Sequence, residues 1–107
     1  MTESEFLDLT DKLLDSLQMA LDAGDLDLDY ELHDGVLEIE FDSGEKIIVN
    51  RHLPNREIWV AARTGGYHFA LTADGRWQST RDGSELYALL ERLIGTAAGD
   101  EFVWPRG

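Results

Sequence analysis

Between residues 4 and 23 the apolar positions Phe6, Leu9, Leu13, Leu17, Ala20 and Leu21 recur three or four apart. That spacing predicts a helix with one face against a core, ended by Gly24 just past its last turn. The period then drops to two. Leu26, Leu28, Tyr30 and Leu32 alternate with Asp25, Asp27, Asp29 and Glu31, which predicts a half-buried strand. Asp34-Gly35 is a strong two-residue hairpin turn, and Leu37, Ile39 and Phe41 continue the alternation beyond it. Turn residues then separate a third strand over 46–51, a fourth over 57–63, a fifth over 67–71 entered through Gly65-Gly66, and a sixth over 76–80. A second helix is expected over 84–94, with Leu86, Leu89, Leu90 and Leu93 facing inward. Asp82 and Glu85 form its capping box, and Gly95 ends it. In the tail 96–107, Phe102, Val103 and Trp104 precede Pro105, and this cluster is expected to pack back onto the body.

The order is helix, five or six short strands, helix, joined by connections too short for parallel crossovers. The fold class expected is α+β: a two-layer α-β sandwich, two helices on one face of a five- to six-stranded antiparallel sheet, forming a single domain over 1–107. A chain of 107 residues suits one domain, and 43% hydrophobic residues suffice for a core. With no cysteine there are no disulfides, thiolate metal ligands or cysteine nucleophiles. Neither a leader segment nor a long apolar run stands out, so a cytoplasmic protein is expected.

Charge alters this picture more than composition does. The formal net charge is −13, and all of it lies early. Residues 1–45 hold 15 acids against Lys12 alone, whereas residues 46–107 hold 7 acids and 8 bases. A surface this negative repels nucleic acids and anionic lipids, which argues against both as partners. Self-repulsion lowers stability unless a cation or a basic partner relieves it.

On the helix, Asp8, Asp11, Asp15 and Asp22 share an arc opposite the apolar stripe; a short turn joins them to the outer face of the first strand. The two are expected to form one carboxylate ridge. Carboxylates suit hard or borderline cations, among them ferric iron, Ca²⁺, Mg²⁺ and Mn²⁺. Outward neighbours on a strand lie ~6.5–7 Å apart, so an ion meets two or three of them and water fills the rest. Asp25, Asp27 and Asp29 begin like a calcium loop of the EF-hand type, but Tyr30 replaces the required glycine and Val36 the closing glutamate. The histidines His33, His52 and His68 lack metal-ligand spacing, Gly65-Gly66 lacks a following helix, and no catalytic constellation is present. Trp59 shares strand phase with Glu57, opposite Ile58 and Val60. Asn50 and His52 share one phase on the third strand, and His68 alternates against Tyr67 and Phe69 on the fifth. A solvent-facing Trp ringed by Asn, His and Arg outlines a protein-contact patch on the open sheet face.

In sequence the chain resembles the bacterial frataxins over roughly 4–95. The resemblance is carried by Ser4-Glu5-Phe6, the acidic run 22–31, Asp34-Gly35-Val36-Leu37, Ile48-Val49-Asn50-Arg51 with Pro54, Ile58-Trp59, Gly65-Gly66-Tyr67-His68-Phe69, and Trp77. It implies a non-enzymatic protein that binds ferrous and ferric iron weakly, with other divalent cations as substitutes, and regulates iron–sulfur cluster assembly. It also implies docking on a cysteine desulfurase and contact with the iron–sulfur scaffold protein, by a monomer that iron can drive into oligomers. By matching position the metal ridge is Asp11, Asp15, Asp22, Asp25, Asp27, Asp29 and Glu31. The partner-binding set is Asp22, Asp25 and Asp27 with Asn50, Trp59 and His68. The alternative, from a different class, is an acidic adaptor or mimic that occupies a basic protein surface and binds metal only incidentally.

Overall fold

The computed structural model describes residues 1–106. Its elements run α1 (Glu3–Ala23), β1 (Leu28–His33), β2 (Val36–Phe41), β3 (Lys46–His52), β4 (Glu57–Ala62), β5 (Gly65–Leu71), β6 (Trp77–Ser79) and α2 (Leu86–Ala98). The six strands form one antiparallel sheet in chain order. Alternation sets its two faces. Leu37, Ile39, Ile47, Val49, Ile58, Val60 and Phe69 are buried with Phe6, Leu14 and Leu17 of α1 and Leu86, Leu90 and Ile94 of α2. The residues between them in sequence face away from the helices. None of the helices is long and apolar enough to cross a membrane among the described residues.

A capping box begins α1. Thr2 Oγ1 accepts from the Glu5 backbone N–H (3.1 Å), and a Glu5 carboxylate oxygen accepts from the Thr2 N–H (2.9 Å). The Thr2 backbone donor and its hydroxyl hold the Glu5 carboxyl below its ordinary range. At the far end Gly24 keeps a right-handed φ of −75°, and Asp25 takes the left-handed one at 51°. Aspartate tolerates that region because its short side chain can bond locally. The bend there breaks the expected alternation, so β1 begins at Leu28 and Leu26 stays outside it.

The expected bounds of α2 need correction. Its N-cap is Glu85, which accepts from the backbone N–H groups of Tyr87 and Ala88, and not Asp82. Asp82 instead accepts from the backbone N–H and hydroxyl of Ser84, and these donors lower its carboxyl to about 2. Nor does Gly95 end the helix, which runs on to Ala98 and closes at Gly99 with φ 71°. Glycine at 95 gives room for the returning tail: a Cβ there would meet the Asp100 carbonyl oxygen at 3.1 Å, tighter than an ordinary contact.

The tail packs as expected, with Gly107 outside the described residues. Phe102 and Trp104 are buried, while Val103 is exposed. The Trp104 indole donates to Ser16 Oγ on α1 (3.0 Å), and its backbone N–H donates to Glu91 on α2 (2.9 Å). One residue thus ties both helices together.

Candidate functional site

Two side-chain links lay α1 along the β1 edge. Near the middle of the helix, Asp11 pairs with Arg51 of β3. Arg51 in turn lies so close to Gly35 that a Cβ there would sit 2.9 Å from its Nε, and its backbone N–H donates to the Gly35 carbonyl (2.9 Å). Near the C-terminal end, the Tyr30 hydroxyl donates to Asp22 (2.7 Å), and that carboxylate raises the phenol above its ordinary value. The helix therefore runs antiparallel to β1, and the acids of both elements line the same side of the molecule.

Among the seven expected ridge residues, Asp11 and Asp22 are thus engaged by protein groups. Asp15, Asp25, Asp27, Asp29 and Glu31 are exposed, and among the described residues none of their carboxylates has a hydrogen-bond or ion-pair partner. Asp29 and Glu31 stand on β1 itself; Asp25 and Asp27 lie in the bend before it.

The ridge is wider than the sequence reading made it. The register places Glu40 opposite Asp29 and Glu38 opposite Glu31. Asp27, Asp29, Glu40 and Asp42 line a cleft of about 500 Å³ with Leu26, Leu28 and Phe41. Like charges directly across a ladder destabilise it. Relief comes from Lys46, whose ammonium bonds Glu38 (2.9 Å) and is raised by that bond and by the charges of Glu38 and Glu40. Glu38, Glu40 and Asp42 were legible in principle: a two-residue turn at Asp34-Gly35 fixes the pairing of every residue behind it. Both turn residues have positive φ (50° and 79°), as such a turn requires. Arg51 and Tyr30 carried no comparable signal, because their roles depend on how the helix layer lies over the sheet.

Chemically, this edge offers oxygen donors that water can reach. No three His, Cys, Asp or Glu side chains converge on one point among the described residues. A hard cation would meet one or two carboxylates and keep much of its water.

On the open face, Asn50 lies opposite Trp59 and Trp59 opposite His68, as the strand phases predict. Trp59 is half-buried because imidazoles cover its ring: His52 stacks at 3.6 Å and 9°, His68 at 4.2 Å and 11°. Its indole N–H donates to Glu57 (2.7 Å), which fixes the ring in plane. His52, placed on this face by strand phase but absent from the set matched to the family, belongs to the patch. Its Nδ1 is buried and unpartnered among the described residues.

An open antiparallel sheet under two helices, with an acidic edge and an aromatic patch on the free face, defines a small acidic α-β sandwich. The family model of the Frataxin-like domain matches residues 1–100, and the chain belongs to that family. It is 50% identical over 102 residues to the iron–sulfur cluster assembly protein CyaY of Chromobacterium violaceum, covering 95% of this chain and 96% of that one. With the protein of the same name in Neisseria meningitidis it shares 43% identity over 100 residues, 94% of this chain and 92% of the relative. Among solved structures, a frataxin from Psychromonas ingrahamii superposes with a TM-score of 0.92 at 27% identity, covering 99% of this chain and all of that one. A trimeric frataxin from Saccharomyces cerevisiae, complexed with ferrous iron, superposes at 0.69 with 32% identity over 94% of this chain and 88% of that one.

Proposed function

We propose that this chain takes part in iron–sulfur cluster assembly as a non-enzymatic regulator. It carries ferrous or ferric iron weakly along the α1–β1 edge and docks that edge on a basic surface of a cysteine desulfurase. The observation that carries the reading is the set of carboxylates at Asp15, Asp25, Asp27, Asp29 and Glu31, unpartnered among the described residues and gathered on one side, in a chain whose residues 46–107 are nearly neutral. Crowded like charge is held against its own repulsion, and a cation or a lysine-rich surface relieves it. The relatives named as assembly proteins and the iron-complexed yeast frataxin support the choice of iron. Asn50, Trp59 and His68 form the second contact, for the iron–sulfur scaffold protein, with the stacked rings holding the indole at a fixed angle.

The test is a quadruple substitution, Asp22→Asn, Asp25→Asn, Asp27→Asn and Asp29→Asn, assayed by calorimetry at low salt. Both Fe²⁺ binding and desulfurase docking should weaken, the latter by about tenfold or more, since rim charges act through steering and complementarity. Docking that survives unchanged removes the edge as the contact. Docking lost with iron binding intact favours the acidic adaptor.

A further inference from the structure

The two edges of the sheet are treated differently, and the difference identifies how a partner is held. At the β6 edge the chain covers itself: the Ser79 N–H donates to the Ser84 carbonyl (2.6 Å), and Gln78 bridges to Glu85. At the β1 edge nothing does. The hairpin makes His33–Val36, Glu31–Glu38 and Asp29–Glu40 the hydrogen-bonded pairs, so the N–H and C=O groups of Tyr30 and Leu32 point away from β2. Among the described residues these four groups have no backbone partner, and the Leu28 N–H is turned back onto Leu26.

We infer that this free edge takes up an extended segment of alternating basic and apolar residues as an added antiparallel strand. The inference rests on the reading of the acidic edge as a docking surface and supplies its geometry. Register dictates the pattern. Residues of the incoming strand opposite Tyr30 and Leu32 complete the ladder with their own N–H and C=O groups, and their side chains fall on the helix side. There Leu32 is 40% exposed and offers apolar contact. Residues opposite Asp29 and Glu31 project on the open face at the closer, non-hydrogen-bonded spacing, where an unpaired carboxylate asks for Lys or Arg. Charge excludes a second copy of this chain as the occupant, because its own β1 would set Asp29 and Glu31 against the same acids. Main-chain bonds then give affinity and the alternating side chains give selectivity, as in other strand-addition complexes.

The experiment titrates the ¹⁵N-labelled full chain with a capped peptide alternating lysine and valine, and with two N-methylated forms of unchanged charge. Methylating the valines removes the N–H groups aimed at β1; methylating the lysines removes only those aimed at solvent. The unmodified peptide should protect the Tyr30 and Leu32 amides from solvent exchange. Valine methylation should weaken binding about tenfold, the loss expected for two or three hydrogen bonds, while lysine methylation leaves it unchanged. Leu32→Pro, which deletes an outward N–H without touching the β1–β2 ladder, should weaken the unmodified peptide similarly. Two methylated forms that bind alike would overturn strand addition and leave charge-driven docking standing. Failure of every peptide to bind at low salt would remove both. Protection of the Tyr30 and Leu32 amides that appears on concentrating the protein alone would make the occupant a second copy and overturn the inference.

Discussion

At the β6 edge, three residues of strand are sealed by the segment that leads into α2, and Glu85 both caps that helix and holds Arg106 of the tail. At the β1 edge, a strand of six residues leaves the backbone groups of Tyr30 and Leu32 without backbone partners among the described residues, with acids on either side. Both devices stop the sheet from pairing with its neighbours, one by covering the edge and the other by charging it. They differ in what they leave available. A covered edge adds stability and is closed to partners; a charged edge subtracts stability and stays open to a partner of opposite sign. The contrast separates an edge closed by the chain's own groups from one left open, which is where the proposed docking would take place.

The largest effects are expected on the sealed side. Trp104→Ala empties a site that is 1% exposed and removes the indole bond to Ser16 and the tilted ring contact with Tyr87 at 4.0 Å. A loss of about 3–5 kcal/mol is expected from a fully buried aromatic, read as a lower denaturant midpoint. A smaller loss would mean that the tail only lies against the helices. Next is Glu85→Ala, which deletes an N-cap with two backbone donors and the Arg106 pair. It should cost about 1–2 kcal/mol and speed exchange of the Ser79 amide, whose acceptor is the neighbouring Ser84 carbonyl. If Ser79 exchange is unaltered, the edge is sealed independently of the helix cap.

How much of this could be read from the chain follows the same division. The strands around Asp34-Gly35 were legible, because period-two alternation and a turn with one favoured geometry are local signals. So was the face of Trp59, from strand phase alone. Gly95 was misread as a helix end because its reason for being glycine, the close approach of Asp100, lies in the tail's return path and not in the helix. Asp82 looked like a cap because its spacing to Glu85 fits a capping box, whereas the bridge from Gln78 to Glu85 pins the helix start three residues later. On the acidic side, the ridge was visible as composition; the engagement of Asp11 by Arg51 and of Asp22 by Tyr30 required the packing of α1 over β1 and β3.

On the charged side the signs reverse. Asp29→Asn with Glu31→Gln removes carboxylates that face Glu40 and Glu38 across the ladder and should stabilise the chain by about 0.2–1 kcal/mol per pair. The gain should shrink in ~1 M salt, where the screening length falls to ~3 Å, and millimolar divalent cations should raise the parent's melting temperature. A loss of stability, or a gain indifferent to salt, would show that β1 is not held against repulsion and would erase the contrast between the edges.

The smallest effect is a pH dependence confined to the sealed edge. Asp82, beside the sealed edge, is lowered from 3.8 to about 2 by the Ser84 hydroxyl, the Ser84 backbone N–H and Ser79. A carboxyl depressed in the folded state contributes stability above its unfolded value, and that contribution is lost as pH falls through the folded one. The window for Asp82 is therefore from 3.8 down to about 2. Burial pushes Glu85 up, but Arg106 and the Tyr87 and Ala88 N–H groups outweigh it and leave the carboxyl lowered, so its loss on acidification has the same sign. Asp82→Asn keeps an acceptor for Ser84 and abolishes the titration. The variant should be less stable than the parent at neutral pH, and the difference should close as pH falls through the Asp82 window. A difference that stays constant down to about pH 2 in denaturant midpoints would place the acid sensitivity of the chain elsewhere than at the sealed edge.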